Sequence, residues 1–170
     1  MNLNKNLVFL GMMGSGKSSI GHLVSKKLHL PFIDIDDVIV ENAGMSITEI
    51  FDKKGENYFR DLEEKITLKS LKKNKNVISL GGGGFVNAKI RKEILSNHFS
   101  FWLNWDESIL IKRIKNSKKR PIAFNSTDNK IKTIIKHRLK IYSNAQFKIN
   151  CNNLTKTEIV KKILKIYGPN

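Results

Sequence analysis

The strongest constraint on the fold is residues 11–18, Gly-Met-Met-Gly-Ser-Gly-Lys-Ser, which fit the pattern G-x-x-x-x-G-K-[ST]. The apolar run in residues 6–10 just before it predicts a buried strand. After it, apolar residues recur at helical spacing and predict a helix whose buried face carries Ile20, Leu23, Val24 and Leu28. A glycine-rich turn between a strand and a helix surrounds a phosphate group with backbone N–H groups and the positive end of the helix dipole. We therefore expect a nucleotide phosphate site here, for ATP or GTP.

The rest of the chain alternates predicted strands with predicted helices. Strands are predicted near residues 31–35, 77–80, 98–103 and 146–151. Helices are predicted near 55–73, 87–96 and 128–143, and capping boxes at Ser46–Glu49 and Thr155–Glu158 open two more. This alternation is typical of an α/β protein with a five-stranded parallel sheet covered by helices. With 170 residues and neither linker nor repeat, we expect one domain, residues 1–170.

The formal net charge of +16 first suggests a nucleic-acid partner. However, only five of the 31 basic residues are arginine, and the lysines are dispersed without interleaved aromatic residues. Dispersed lysines indicate solvated faces, so we expect no nucleic-acid partner. Arginine, in contrast, is expected where its planar bidentate fork is needed. The five are Arg60, Arg91, Arg113, Arg120 and Arg138.

Cysteine content and hydropathy bear on the cellular compartment. Cys151 is the only cysteine, which excludes an intrachain disulfide and fits a reducing cytosol. The apolar run near the N-terminus has four residues, Leu7–Leu10, which is too short for a signal peptide core. No apolar run approaches the ~20 residues of a membrane span. We expect a cytoplasmic monomer with no membrane partner.

Each polar residue of the glycine-rich segment suits one task. The lysine, Lys17, would reach the β- and γ-phosphates, and the Ser18 hydroxyl would bind Mg²⁺ directly. The full set of expected nucleotide-binding residues in the segment is Gly14, Ser15, Gly16, Lys17, Ser18 and Ser19.

Two acids, Asp34 and Asp36, end the second predicted strand on the same side. Ligands bind at this edge of a parallel sheet, so one carboxylate could hold Mg²⁺ through water and the other accept a hydroxyl proton. Asp37 continues the acidic run and is predicted to cap the next helix. Helix capping by all three acids remains the simpler alternative.

Three further features allow a functional and a plain interpretation. Arg60 could bind a ligand or pair with Glu56 or Glu64 at helical spacing. Four consecutive glycines, residues 81–84, suggest backbone pressed against a ligand, or a plain turn. Arg120 lies in the polar segment 116–127, predicted to be a mobile loop, and could swing over the phosphates or be one more surface charge.

Together these features resemble shikimate kinase, a small family within the nucleoside-monophosphate-kinase-like P-loop group. The resemblance covers about residues 5–165, in the right order and at the right intervals. The P-loop, which is the glycine-rich segment of residues 11–18, is shared with many families, whereas the remaining motifs are far more specific. They are Asp34-x-Asp36, Glu56-x-x-Phe59-Arg60, Gly81-Gly82-Gly83, Arg120-Pro121 and Arg138-x-x-x-Tyr142.

The resemblance implies a three-layer P-loop kinase fold with a helical substrate-binding region near 33–61 and a lid near 116–127. It implies transfer of the γ-phosphate of ATP to shikimate with Mg²⁺, which gives 3-phosphoshikimate for aromatic amino-acid biosynthesis. In this interpretation Asp36 holds the ring hydroxyls and assists deprotonation, while Arg60 and Arg138 clamp the substrate carboxylate.

The resemblance implies roles for four more residues. Gly82 contacts the substrate through its backbone, and Asp34 binds Mg²⁺ through water. Arg113 stacks on adenine, and Arg120 touches the ATP phosphates as a catalytic residue beside Lys17 and Asp36. The alternative is another small-metabolite kinase of this fold, such as a gluconate kinase, which has no evident need for two arginines aimed at a carboxylate across a cyclic polyol.

Overall fold

A computed structural model describes residues 4–115 and 127–168. The strands are β1 Leu7–Leu10, β2 Phe32–Asp34, β3 Val77–Ser79, β4 Phe99–Asn104 and β5 Phe147–Asn150. The helices are α1 Lys17–Leu28, α2 Ile35–Ala43, α3 Ile47–Leu71, α4 Ala88–Asn97, α5 Glu107–Lys115, α6 Asp128–Tyr142 and α7 Lys156–Tyr167. A short 3₁₀ helix, Gly84–Val86, follows the glycines after β3. The predicted lid lies outside the described residues except for Thr127, which caps α6.

The five strands form one sheet in the order β2-β3-β1-β4-β5, and every neighbouring pair is parallel. The central strand β1 aligns Leu7 with Val77 of β3 and with Phe99 of β4. Because the strands are parallel, the loops that follow β1, β2, β3 and β4 all open at the same edge. This confirms the predicted five-stranded parallel sheet and places residues 11–18, Asp34, Asp36 and the glycine run along one edge.

Helices cover both faces of the sheet, as the uninterrupted apolar sequence of β1 requires. Leu7 and Phe9 point into a core formed with α1 and α7, whereas Val8 and Leu10 point into a core formed with α2, α3, α4 and α6. All four side chains are fully or almost fully buried. The chain therefore has the expected three layers. Within the described residues, no helix combines the length and apolar character needed to cross a bilayer.

The buried face of helix α1 differs from the predicted one and packs closely against β2. Ile20 and Val24 are buried as expected, but Leu23 is 38% exposed, so its place in the buried face was predicted wrongly. Gly21 takes part in the buried face instead. A Cβ there would lie 2.6 Å from the Phe32 ring, so the glycine allows α1 to approach β2.

The start of α2 corrects one prediction. Asp34 is the N-cap, because its Oδ1 accepts a hydrogen bond from the Asp36 N–H at 3.0 Å. Asp37 lies inside the first turn, so its predicted capping role was wrong. Both capping boxes are confirmed at the starts of α3 and α7. The helix predicted from residue 55 is the second part of α3, and a non-helical residue separates it from the first part: Gly55 has a φ of 82° and a ψ of 170°.

Candidate active site

The loop between β1 and α1, called the phosphate loop below, has the backbone conformation that phosphate binding requires. Gly14 and Gly16 have φ values of 76° and 85°, which side chains rarely allow. Gly16 is the N-cap of α1, and among the described residues no side chain caps the first N–H groups of this helix. The Ser15 side chain is buried, and its Oγ has no hydrogen-bond partner among those residues. The helix dipole and these N–H groups suit an anion.

Lys17 is the cation of this loop and is only 7% exposed. Its Nζ donates hydrogen bonds to the carbonyl oxygens of Gly11 and Met12, both at 3.0 Å. The ammonium group is therefore folded back along the loop that carries it. Phosphate oxygens, as stronger acceptors for an ammonium group, can replace these carbonyls.

Three oxygen-bearing side chains lie at the ends of neighbouring elements. The Ser18 and Ser79 hydroxyls lie 3.5 Å apart, and Ser79 aligns with Asp34 across the β2–β3 pair. Hydroxyl and carboxylate oxygens are hard ligands that fit Mg²⁺, which takes few protein ligands and completes its shell with phosphates and water. Sequence analysis assigned Ser18 and Asp34 but missed Ser79, because only the strand alignment brings it to this position.

The glycine run after β3 makes room for side chains of the protein itself. The substrate contact expected at Gly82 stays a prediction. A Cβ on Gly81 would lie 2.5 Å from Glu63 Oε1 and 2.9 Å from Asp36 Oδ1. A Cβ on Gly83 would lie 2.5 Å from Arg60 Nη1. Two carboxylates and one guanidinium group therefore converge on this turn from α2 and α3.

Arg60 is held by two carboxylates of its own helix. Its guanidinium group donates to Glu56 Oε1 at 3.1 Å and to Glu63 Oε2 at 2.8 Å. The predicted pair with Glu56 is present, whereas Glu64 pairs with Lys89 at 2.8 Å. Glu63 is only 3% exposed, and its Oε1 has no hydrogen-bond partner among the described residues. Sequence analysis missed Glu63, although its spacing of three residues from Arg60 was a usable signal.

Helix α6, which lies later in the chain, also contacts the glycine turn that follows β3. The Gly82 carbonyl oxygen accepts hydrogen bonds from Arg138 Nη1 at 3.1 Å and from the Tyr142 hydroxyl at 2.5 Å. The same hydroxyl lies 3.9 Å from Met12 Sδ in the phosphate loop. Arg60 and Arg138 thus contact adjacent residues of one turn, which suits two groups that grip the same ligand. Tyr142 connects that turn with the nucleotide side.

Arg113 lies beside the phosphate loop, where a nucleotide base was expected. Its guanidinium carbon lies 3.8 Å from the centre of the Trp105 ring, and its Nη1 donates to the Gly14 carbonyl at 3.3 Å. Trp105 Nε1 donates to the Ser15 carbonyl at 2.9 Å. Sequence analysis did not single out Trp105, because nothing in its local pattern indicates that β4 ends beside this loop.

The two remaining arginines have different outcomes. Arg120 lies outside the described residues, so its proposed place over the phosphates stays a prediction. Arg91, which carried no role, donates to the carbonyls of Phe85 and Val86 at 3.1 and 2.8 Å. It thereby supports the 3₁₀ helix behind the glycine turn, which is a structural use of the guanidinium group.

Comparison with known proteins finds matches over nearly the whole chain. The shikimate kinase family model matches residues 13–167. A shikimate kinase of Thermodesulfovibrio yellowstonii is 38% identical over 164 residues, which cover 96% of this chain and 95% of that protein. The crystal structure of the Aquifex aeolicus shikimate kinase is 37% identical with a TM-score of 0.84, covering 94% of each chain.

Two further solved structures are similar to this chain. The Acinetobacter baumannii shikimate kinase in complex with shikimate has a TM-score of 0.91 at 26% identity, covering 98% of this chain and 93% of that one. A gluconokinase from Sinorhizobium meliloti has a TM-score of 0.59 at 17% identity, which reflects a shared fold alone. The chain belongs to the shikimate kinase family.

Proposed function

We propose that this kinase transfers the γ-phosphoryl group of ATP to shikimate, forming ADP and 3-phosphoshikimate. One observation carries the proposal: Arg60 and Arg138 flank the Gly82–Gly83 turn, while Asp36 and Glu63 face the adjacent Gly81. A cationic fork for a carboxylate thus lies beside an acid that can accept a hydroxyl proton. The shikimate-bound relative from Acinetobacter baumannii supports this choice of acceptor.

The two arginines are oriented before the substrate arrives. Arg60 is fixed by Glu56 and Glu63, and Arg138 is fixed on the Gly82 carbonyl. A guanidinium group in a fixed orientation loses less side-chain freedom when it binds, which favours tight binding. Its charge-assisted, bidentate hydrogen bonds then select a planar carboxylate. We assign the clamp to these two residues and the backbone contact to Gly82.

The transfer step requires an acceptor oxygen, a base and charge neutralisation. Asp36 takes the proton of the attacking hydroxyl as that oxygen bonds to the γ-phosphorus. The bond from the γ-phosphorus to the bridging oxygen breaks, and its electron pair leaves with ADP. Lys17 exchanges its loop carbonyls for phosphate oxygens and neutralises their charge. Arg120 is proposed to assist it from the lid.

Mg²⁺ fits the oxygen donors at the ends of α1, β2 and β3. Ser18 would bind it directly, Asp34 would hold it through water, and Ser79 lies beside Ser18. When bound, the ion supplies further neutralisation of the phosphate charge. The base of ATP would lie against Arg113. We further propose that residues 1–170 form one domain and act as a cytoplasmic monomer without nucleic-acid or membrane partners.

A coupled assay of ADP release over a panel of acceptors tests the function. The panel contains shikimate, gluconate, nucleoside monophosphates and water alone. We expect shikimate to support turnover far above every other acceptor. Equal or faster turnover with gluconate or a nucleoside monophosphate would overturn the assignment.

A further inference from the structure

Trp105 lies in the link between β4 and α5 and contacts the phosphate loop in two ways. Its indole N–H donates to the Ser15 carbonyl at 2.9 Å. The guanidinium carbon of Arg113 lies 3.8 Å from the centre of the Trp105 ring, and Arg113 Nη1 donates a hydrogen bond to the Gly14 carbonyl at 3.3 Å. A Cβ on Gly14 would lie 3.2 Å from the Arg113 Cβ, so the Arg113 side chain lies close to this loop at its Cβ as well as at its guanidinium group.

We propose that Trp105 is a positioning residue of the nucleotide site: it fixes the Ser15 peptide through its N–H and orients the plane of Arg113 through its ring. The face of the guanidinium group that points away from the indole then receives the nucleotide base. The inference rests on the proposed function, because it takes ATP as the nucleotide at this loop.

The hydrogen bond acts on the loop through peptide geometry. In a trans peptide the C=O and the following N–H point in opposite directions. Holding the Ser15 carbonyl against the indole therefore turns the Gly16 N–H away from Trp105. Gly16 is one of the residues assigned to the phosphates, so the indole sets the direction of a phosphate-binding donor.

The ring acts on Arg113 through stacking. A guanidinium group above an aromatic ring is attracted by the negative face of the ring, and the flat contact fixes its plane. That plane decides whether a purine can stack on the outer face. A lysine would offer no such plane, which agrees with the retention of arginine in a chain rich in lysine.

Trp105 itself is anchored on both sides. The half-buried ring packs against the cores on both faces of the sheet. The next residue, Asp106, accepts from Asn152 Nδ2 at 2.7 Å and donates its N–H to Asn152 Oδ1 at 3.0 Å. Asn152 follows β5, so the link carrying Trp105 is tied to the neighbouring loop. A mobile surface tryptophan could not orient Arg113, whereas this one is fixed.

Four variants separate the two contacts. Trp105→Phe keeps the ring and removes the N–H, Trp105→Leu removes both, Arg113→Ala removes the guanidinium group, and a double variant combines Trp105→Leu with Arg113→Ala. ADP and pyrophosphate are the probes, titrated by calorimetry on the full chain. Pyrophosphate has no base, so it reports on the phosphate loop alone.

We expect Trp105→Leu to weaken ADP binding about tenfold, since it loses both the hydrogen bond and the stacked cation. Arg113→Ala should weaken ADP severalfold, and the double variant should be little worse than Trp105→Leu, because the ring acts on the base through Arg113. Pyrophosphate binding should fall equally in Trp105→Phe and Trp105→Leu. The KM for shikimate should stay within about twofold of the parent value, since the acceptor contacts are distant and independent.

Trp102→Phe is the matched control. Trp102 lies in β4 and faces Tyr142 and Lys148 instead. The ADP affinity of the Trp102→Phe variant should match that of the parent. The variant also leaves Trp105 as the only tryptophan, so ADP should change its fluorescence more than pyrophosphate does.

Two results would overturn the proposal. One is an ADP affinity of Trp105→Leu within about twofold of the parent, since loss of a real contact exceeds that change. The other is an equal rise of KM for ATP and for shikimate together with a lower melting temperature, which indicates core packing only. If Trp105→Leu does not fold, Trp105→Phe and Arg113→Ala decide by the same criteria. Normal ADP behaviour in a parent that does not phosphorylate shikimate would count against the proposed function alone.

Discussion

The proposed nucleotide side and the proposed acceptor side of the site are built in different ways. The nucleotide side is one continuous segment, residues 11–19, in which backbone conformation and a helix start provide most of the site. The acceptor side gathers single side chains from α2, α3 and α6 around the glycine turn that follows β3. A local backbone site depends on few side chains, whereas a gathered site depends on every contact that aligns it. The two sides should therefore fail in different ways.

The largest loss is expected from Lys17→Ala on the nucleotide side. Removing the cation that is proposed to meet the phosphates should lower kcat about a thousandfold to a hundred-thousandfold, the range for a cation that stabilises charge in phosphoryl transfer. The chain should still fold, because the side chain bonds to its own loop. The ADP-release assay measures the loss, and a thermal melt checks the fold. Turnover within about tenfold of the parent would refute the role, given the size of such charge effects.

Asp36→Asn tests the acceptor side at its reacting centre. The amide keeps size and hydrogen bonding but cannot take the proton, so kcat should fall about a hundredfold to ten-thousandfold. ADP affinity should hardly change, because it depends on the P-loop. A matching loss of nucleotide affinity would mean that Asp36 serves the metal–nucleotide complex and that its role has been exchanged with that of Asp34.

Gly81→Ala tests whether space at the turn matters. The new Cβ would lie 2.5 Å from Glu63 Oε1, so buried carboxylates must move, at a cost of about tenfold to a hundredfold in kcat/KM for shikimate. Gly84→Ala is the control, because its Cβ meets its nearest neighbours at 3.7 Å, an ordinary contact. Equal activity of the two variants would show that the turn is not crowded against the site.

The smallest effect is expected from Ser79→Ala, on the boundary between the two sides. Its hydroxyl lies 3.5 Å from that of Ser18, and loss of one such hydrogen bond should lower activity about threefold to tenfold. The defect should appear in a titration of activity with Mg²⁺ as a higher half-saturating concentration. An unchanged Mg²⁺ titration would remove Ser79 from the metal site.

Sequence alone predicted the fold and the nucleotide side well, because both depend on local patterns. The strand before Gly11, the helix after Gly16 and the alternation of elements are visible in short windows. The cap of α2 was misassigned because three acids within four residues, Asp34, Asp36 and Asp37, offered equivalent choices. Asp34 is the N-cap because it is the last residue of β2 and has the extended backbone that an N-cap requires.

The acceptor side was predicted only in part. Arg60 was expected to have either an ion pair or a ligand, and the structure shows that the ion pairs hold its guanidinium group beside the turn. Ser79 and Trp105 were missed, since each acquires its place from the tertiary alignment of segments distant in sequence. Glu63 was missed although its spacing of three residues from Arg60 is a local signal. The glycine run was recognised as a close approach, but the sequence could not show what approaches it.

Arg60 and Arg138 are proposed to clamp a carboxylate on the acceptor. The most direct measurement is kcat/KM for shikimate and for its neutral carboxamide in the parent, Arg60→Lys, Arg138→Lys and the double variant. The parent should strongly prefer shikimate. Each lysine variant should lose about tenfold to a hundredfold with shikimate, because lysine cannot reproduce the planar fork.

The preference for the carboxylate should shrink in each variant, ADP binding should stay unchanged, and the two losses should not add, since both residues grip one group. If both lysine variants phosphorylate shikimate like the parent, or the parent uses the carboxamide equally well, the carboxylate clamp is wrong.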